Sequence, residues 1–187
     1  MATQTPATSK PIILAVGGGI AAYKAAVLAS RLVQGGFTVR PVMSQAAHEF
    51  IGAATLSALC NHPAASSMFE MGRYPLGPHI ELAAGAKLMI VAPATADLLC
   101  KLAIGAADSL IAALYLQVDC PVLLAPAMSN LMWAKASVQR NVAQLKADGV
   151  HFIGPEEGWL SCRQGGAGRM AEPEAILTAA QERLSSG

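Results

Sequence analysis

The feature that most constrains the fold is a series of short apolar runs, each ending at a loop. The first run, Ile12–Val16, ends at three glycines and is followed by an Ala- and Leu-rich segment over 20–34. This pattern predicts a strand, a tight loop and a helix. Similar runs predict further strands over 38–43, 88–92, 121–125 and 151–153. Strands without polar alternation are buried on both faces, so we predict a doubly wound parallel sheet in a three-layer α/β/α sandwich.

Length and composition predict one domain that self-associates. A chain of 187 residues can bury a single core, and we predict a disordered leader over 1–10 and one domain over 11–184. Charged residues make up 13% of the chain and hydrophobic residues 53%, whereas about 25% charged is typical of soluble domains. The polar surface is therefore scarce, and we expect large subunit interfaces.

Charge and cysteine spacing argue against several classes of partner. The net charge is +1 and no segment concentrates Lys and Arg, which argues against nucleic acid and membrane surfaces as partners. No apolar run reaches the roughly 18 residues of a membrane-spanning helix. The four cysteines are widely spaced and lack zinc-ligand spacing, so we expect reduced thiols, no metal and a cytoplasmic location.

The loops that follow the predicted strands are candidate binding segments, because ligands of such sheets lie beyond the carboxyl ends of the strands. Gly17, Gly18 and Gly19 allow an anion to approach the next helix, although tight turns also use glycine without a ligand. Their spacing is not the G-x-G-x-x-G dinucleotide pattern. Ser44 and Thr95 can bind a ligand or cap helices, and capping is a sufficient explanation of either alone.

Two further segments carry reactive side chains. His79 begins a predicted helix and can act as a base, although a lone histidine is more often structural. The segment 158–170 is glycine-rich and contains Cys162, Arg163 and Arg169, and its length favours a mobile flap over a site. Arginine can bind a carboxylate or a phosphate through two hydrogen bonds. The alternative is an ordinary surface loop.

Six ordered motifs together give a more specific signal than any single loop. They are G-G-I-A-A-Y-K at 18–24, H-I-E-L-A at 79–83, A-P-A-T-A at 92–96, A-P-A-M at 125–128, M-W at 132–133 and G-R-M-A-E-P at 168–173. With these motifs the chain resembles, over about residues 11–176, the family of homo-oligomeric flavin-containing cysteine decarboxylases. The resemblance is strongest to the decarboxylase domain of bacterial bifunctional coenzyme A biosynthesis proteins.

The resemblance implies a flavodoxin- or Rossmann-like flavoprotein that binds FMN. The implied activity is decarboxylation of 4'-phosphopantothenoylcysteine to 4'-phosphopantetheine in coenzyme A biosynthesis, at a site shared between subunits of a homotrimer or a multiple such as a dodecamer. By the same resemblance, His79 acts as base and Cys162 as acid. Substrate contacts would come from Met128, Ser129, Asn130 and Arg169, and FMN contacts from Gly18, Gly19, Ile20, Ser44, Gln45, Thr95, Ala96, Asp97, Leu98 and Ala127.

Three positions depart from the family pattern. Ser129 replaces the usual asparagine that contacts the substrate carboxylate, Asp97 places a carboxylate where the family often has asparagine, and Arg163 replaces the usual glycine after the flap cysteine. Two alternatives therefore stay open, a peptidyl-cysteine oxidative decarboxylase and a catalytically silent FMN-binding regulatory subunit. The synthetase domain of many bacterial fusions lies outside this sequence, and we expect a separate protein or a longer chain to supply it.

Overall fold

The computed structural model describes residues 11–70 and 72–185, and its centre is a parallel sheet of five strands. The strand order is β2-β1-β3-β4-β5. The bounds are β1 Ile12–Val16, β2 Val39–Met43, β3 Leu88–Ala94, β4 Val122–Pro126 and β5 His151–Phe152. All neighbouring strands in this sheet pair in parallel. The predicted doubly wound parallel sheet is therefore confirmed.

Helices cover both faces of the sheet. Their bounds are α1 Ala22–Gln34, α2 Ala53–Cys60, α3 Pro78–Ala83, α4 Ala96–Ala103, α5 Leu110–Gln117, α6 Asn130–Trp133, α7 Ala136–Ala147 and α8 Pro173–Ser185, with a 3-10 helix over Gln45–Glu49. One apolar cluster joins the sheet to α1, α2 and α8, and the other joins it to α3, α4, α5 and α7. The three-layer sandwich predicted from the apolar runs is confirmed.

Strand β3 shows why the apolar runs lack polar alternation. All seven of its residues are buried. Met89 and Val91 enter one core cluster, whereas Leu88 and Ile90 enter the other. Successive side chains of a strand point to opposite faces, so a strand covered by helices on both sides needs an apolar residue at every position.

The strand order brings three loops together at one edge of the sheet. The chain leaves β1 toward β2 on one side, while β3 pairs with β1 on the other, which makes β1 and β3 the topological switch point. The backbone N–H of Gly17 donates to the carbonyl oxygen of Pro93 at 3.2 Å, and that of Ser44 donates to Val16 at 2.9 Å. The loops after β1, β2 and β3 are thereby fixed against one another.

The predicted flap loop contains regular structure that sequence patterns did not predict. Strands β6 (Glu156–Trp159) and β7 (Gly165–Arg169) form an antiparallel hairpin. Glycine-rich strands carry no side-chain alternation from which a strand can be predicted.

The first helix begins at Ala22, two residues later than predicted. The predicted leader over 1–10 lies outside the described residues, and no helix among those described is long and apolar enough to cross a membrane.

Candidate active site

A cavity of about 620 Å³ opens at the switch point, between the loops after β1, β3 and β4 and the flap hairpin. Its volume lies within the range of sites for small molecules and cofactors. Ten of the predicted site residues line it, namely Gly18, Gly19, Ile20, Thr95, Ala96, Ala127, Met128, Ser129, Cys162 and Arg169. The fold thus gathers segments that are distant in sequence into one concave site.

The three glycines after β1 differ in what surrounds them. A Cβ atom on Gly17 would lie 2.3 Å from the carbonyl oxygen of Pro93, and one on Gly18 would lie 2.4 Å from the Cβ of Ala46. A Cβ on Gly19 would meet nothing nearer than Thr95 Cγ2 at 3.9 Å. Gly17 and Gly18 are therefore required by the close approach of neighbouring loops, and Gly19 leaves open space beside the backbone.

The open space at Gly19 fits a phosphate group. It lies at the beginning of α1, a helix of 13 residues whose N-cap residue Ala21 offers no side-chain hydrogen bond and whose first turn has no acidic residue. The first N–H groups of a helix lack partners within the helix and favour an anion. The N–H groups of Ala22 and Lys24 donate to the carbonyl oxygens of Gly19 and Ala21, so the donors open to a ligand are those of the loop just before the helix. The site combines these donors with a favourable dipole and space that a side chain would fill.

Two predicted cofactor residues lie in a neighbouring cavity of about 240 Å³. Ser44 and Gln45 line it together with polar side chains of Ser66, Ser67, Asp108 and Ser109. The hydroxyl of Ser44 also accepts a hydrogen bond from the N–H of Ala47 at 3.2 Å, as capping predicts. Gly18, which lines the main cavity, packs against Ala46, the residue that follows Gln45, so the two cavities lie close to each other.

The loop after β3 begins helix α4 and holds three predicted cofactor residues. Thr95 caps α4, since its hydroxyl accepts from the N–H of Leu98 at 3.3 Å. Leu98 is buried, and Asp97 lies on the exposed face, 3.3 Å from the Nζ of Lys101. Lys101 also contacts Asp108 at 3.2 Å. The Asp108 carboxylate is the main cause of a raised pKa of Lys101, and the Asp97 carboxylate contributes to it. The additional carboxylate of Asp97 is thus paired, and neither Asp97 nor Leu98 lines either of these two cavities.

The two predicted polar substrate contacts of the loop after β4, Ser129 and Asn130, lie in different surroundings. Ser129 lines the main cavity and caps α6, with its hydroxyl accepting from the N–H of Met132 at 3.3 Å. Asn130 does not line the cavity, and its Nδ2 donates to the carbonyl oxygen of Gly165 on the flap at 3.4 Å. In this structure the Asn130 amide is directed at the flap and not into the main cavity.

An ion-pair network in the cavity wall was missed by the sequence analysis. The buried Lys24 donates to Glu172 Oε1 at 2.9 Å and to the carbonyl oxygen of Met170 at 3.1 Å. The hydrogen bond that Glu172 accepts from Lys24 is the main reason that the pKa of Glu172 is lowered. Arg169 pairs with Glu156 across the flap hairpin at 2.9 Å. The available sequence signal was a lysine within the apolar first part of α1, because a buried charged side chain needs a partner.

The two predicted catalytic residues do not line the same cavity of one chain. Cys162 lies at the exposed flap tip and lines the main cavity. His79 is the second residue of α3, partly buried, and lines neither cavity. Its Nδ1 is buried and has no hydrogen-bond partner within residues 11–70 and 72–185. Exposed Leu76 and Ile80 lie beside it in sequence.

Comparison with known proteins places this geometry among flavoproteins. The chain is 40% identical over 177 residues to the coenzyme A biosynthesis bifunctional protein CoaBC of Bacillus subtilis, covering 95% of this chain and 44% of that protein. It therefore spans less than half the length of this curated relative. In CoaBC of Mycobacterium tuberculosis the identity is 43% over 172 residues, with 92% of this chain and 41% of that protein covered.

Solved structures show the same fold over almost the whole chain. A cysteine-to-serine mutant of PPC decarboxylase, complexed with pantothenoylaminoethenethiol, superposes with a TM-score of 0.85 at 27% identity, covering 93% of this chain and 97% of that one. The FMN-dependent cysteine decarboxylase SpaF gives a TM-score of 0.81 at 28% identity, covering 97% and 98%. The family model described as Flavoprotein matches residues 1–185, and the chain therefore belongs to the Flavoprotein family.

Proposed function

We propose that this chain is an FMN-dependent decarboxylase of 4'-phosphopantothenoylcysteine that acts in coenzyme A biosynthesis. The observation that carries the proposal is the cavity at the β1/β3 switch point, which places the open backbone at Gly19 and the thiol of Cys162 around one space. FMN binds at this switch point in flavodoxin-type sheets. The similarity to CoaBC and to PPC decarboxylase supports the same substrate.

The residues of the first three loops fit the parts of FMN. The N–H groups of Gly19 and Ile20 at the start of α1 would hold the phosphate. Ser44 and Gln45 would bind from the second loop, and the Thr95 loop with Ala127 would contact the ring system from β3 and β4. When bound, FMN supplies a reversible two-electron oxidation of the substrate's cysteine side chain.

The chain's own side chains supply positioning and proton transfer. The hydroxyl of Ser129 uses its oxygen as an acceptor for the N–H of Met132, so its hydrogen is free to bind the substrate carboxylate in the cavity. The thiol of Cys162 can deliver a proton from the flap to the carbon skeleton after CO2 leaves. The imidazole of His79 can accept the proton of the substrate thiol.

A second copy of the chain would bring His79 to the cavity. The side chains of Ile20, Tyr23 and Trp159 are 61%, 60% and 70% exposed around the cavity, and Leu76 near His79 is 71% exposed. Exposed apolar side chains gathered at a site are typical of protein interfaces. We therefore retain the homotrimer, or a multiple of it, as the functional assembly, in agreement with the charge-poor composition.

The four cysteines support a reducing location. Cys60, Cys100, Cys120 and Cys162 are all free thiols. Disulfides are rare where glutathione and thioredoxin keep thiols reduced. A cytoplasmic enzyme with a small-molecule substrate is consistent with this chemistry.

The direct test is an assay of the FMN-loaded protein with 4'-phosphopantothenoylcysteine. We expect release of one CO2 per substrate and formation of 4'-phosphopantetheine. A peptide ending in cysteine serves as the second substrate. Turnover of the peptide alone would establish the peptidyl-cysteine alternative. Tight FMN binding without turnover of either substrate would indicate the silent regulatory subunit.

The Ser129→Asn variant is expected to raise kcat for this substrate by roughly tenfold, because an amide reaches further and offers two donors where carboxylate charge develops. Asparagine is also a good N-cap residue, so α6 should keep its first turn. Steady-state kinetics at saturating FMN measure the effect, with Ser129→Ala as the control that loses both donor and cap. An unchanged or lower kcat at unchanged Tm would refute the role assigned to position 129.

A further inference from the structure

The flap tip holds an arginine in a backbone conformation that favours glycine. Arg163 has a φ of +61°, and hydrogen bonds from its N–H to Leu160 and from the Leu160 N–H to Gln164, both 2.9 Å, close the turn. Among the described residues, Asn61 is the other non-glycine residue with positive φ, and it is the C-cap of α2, where asparagine is common. Arginine at this position therefore costs folding free energy that glycine would not.

No side-chain contact of Arg163 within the described part of the chain offsets that free-energy cost. The side chain is exposed, and it makes no ion pair or side-chain hydrogen bond within the described part of the chain. Residues in sparsely populated backbone conformations cluster at active sites and ligand-binding segments, where the surrounding structure holds them in place. A functional contact with a ligand is thus the explanation that accounts for both the conformation and the free charge.

The charges of the cavity wall indicate what that ligand carries. Lys24 and Arg169 are the two cationic side chains that line the cavity, and they pair with Glu172 and Glu156. These side-chain charges cancel, so the side chains of the wall add no net attraction to an anion beyond the phosphate position at Gly19. Arg163 is not among the residues that line the cavity, but it directly follows Cys162, which does, so its unpaired positive charge lies close to the cavity entrance. Such a charge attracts anionic ligands and orients them on entry.

We propose that Arg163 is a specificity-determining residue that binds the phosphate monoester of the substrate at the cavity rim. This inference rests on the proposed function. The cysteine end of the substrate must reach Ser129 at the end of β4, inside the cavity. The opposite end, which carries the phosphate, then lies nearest the entrance. A guanidinium group binds a phosphate with two parallel hydrogen bonds, which an ammonium group cannot reproduce.

The test compares phosphorylated and dephosphorylated substrate in four variants. Arg163→Gly removes the charge and relaxes the turn, Arg163→Asn removes the charge but keeps a residue that tolerates positive φ, and Arg163→Lys keeps the charge. Arg140→Gln removes one positive charge from α7, where Arg140 is exposed and lines neither cavity. This last variant controls for the change in net charge.

We expect Arg163→Gly and Arg163→Asn to raise KM for 4'-phosphopantothenoylcysteine about fivefold at low ionic strength, the size of an exposed charge pair, with kcat within about twofold. KM for pantothenoylcysteine should stay unchanged, and added salt should narrow the difference. Arg140→Gln should resemble the unmodified chain, and Arg163→Lys should give a KM between those of the unmodified chain and Arg163→Gly, because an ammonium group keeps the charge but not the two parallel hydrogen bonds. Arg163→Gly should also show a higher Tm.

Two outcomes would overturn the inference. One is an unchanged KM for the phosphorylated substrate in Arg163→Gly, and the other is an equal rise for both substrates. Calorimetric Kd values for the same two ligands separate this inference from the proposed reaction. If no CO2 is released but Arg163→Gly still weakens the phosphorylated ligand selectively, the proposed reaction fails and the role of Arg163 stands. If the unmodified chain binds neither ligand, both are refuted.

Discussion

The Gly18→Ala variant is expected to lose FMN affinity by about a hundredfold and to lower Tm by roughly 5–10 °C. The new Cβ would lie 2.4 Å from the Cβ of Ala46 and 2.6 Å from its backbone carbon. Backbone cannot rotate away as a flexible side chain can, so the whole 3-10 turn after Ser44 must move. That turn also carries Gln45, and its displacement would separate the first two loops of the proposed cofactor site. Fluorescence titration with FMN and thermal unfolding measure the two effects.

Two matched glycine variants separate packing from ligand binding. Gly19→Ala adds the same methyl group where the nearest atom is 3.9 Å away, so Tm should stay unchanged while FMN affinity falls, because the methyl group occupies the proposed phosphate position. Gly72→Ala meets nothing within 4 Å and should change neither quantity. A Gly18→Ala protein with unaltered Tm and FMN affinity would refute the loop contact on which the site depends.

The fold was predictable because the sheet is buried on both faces. Each central strand needs an apolar residue at every position, and β3 meets that need over Leu88–Ala94. Local capping was equally predictable, since Ser44 and Thr95 each bond to an N–H only three residues later. Interactions within a few residues leave a pattern in the sequence.

The parts that were not predictable depend on distant partners. Lys24 and Glu172 are separated by 148 positions, and no local pattern connects them. The roles of Gly17 and Gly18 depend on Pro93 and Ala46, which only the folded chain brings near. Three of the five residues of β7 are glycine, so the pairing of the flap hairpin rests on the backbone and leaves no side-chain alternation in that strand.

Loss of either proposed catalytic side chain is expected to abolish product formation. His79→Asn and Cys162→Ser should each abolish formation of 4'-phosphopantetheine, and Cys162→Ser should still release CO2 and accumulate the enethiol that lacks two hydrogen atoms. A cysteine-to-serine PPC decarboxylase bound to pantothenoylaminoethenethiol supports this expectation. Because Cys162 lines the cavity and His79 does not, the proposal assigns them to different subunits of one site.

Mixed oligomers test that assignment. Equal amounts of the two inactive variants, unfolded together and refolded with FMN, should recover about a quarter of the activity of the unmodified protein, because in a ring one site in four receives an intact cysteine from one subunit and an intact histidine from its neighbour. Each variant refolded alone is the control and should stay inactive. If both residues came from the same chain, every site in the mixture would carry one defect, so the absence of recovered product would exclude a shared site.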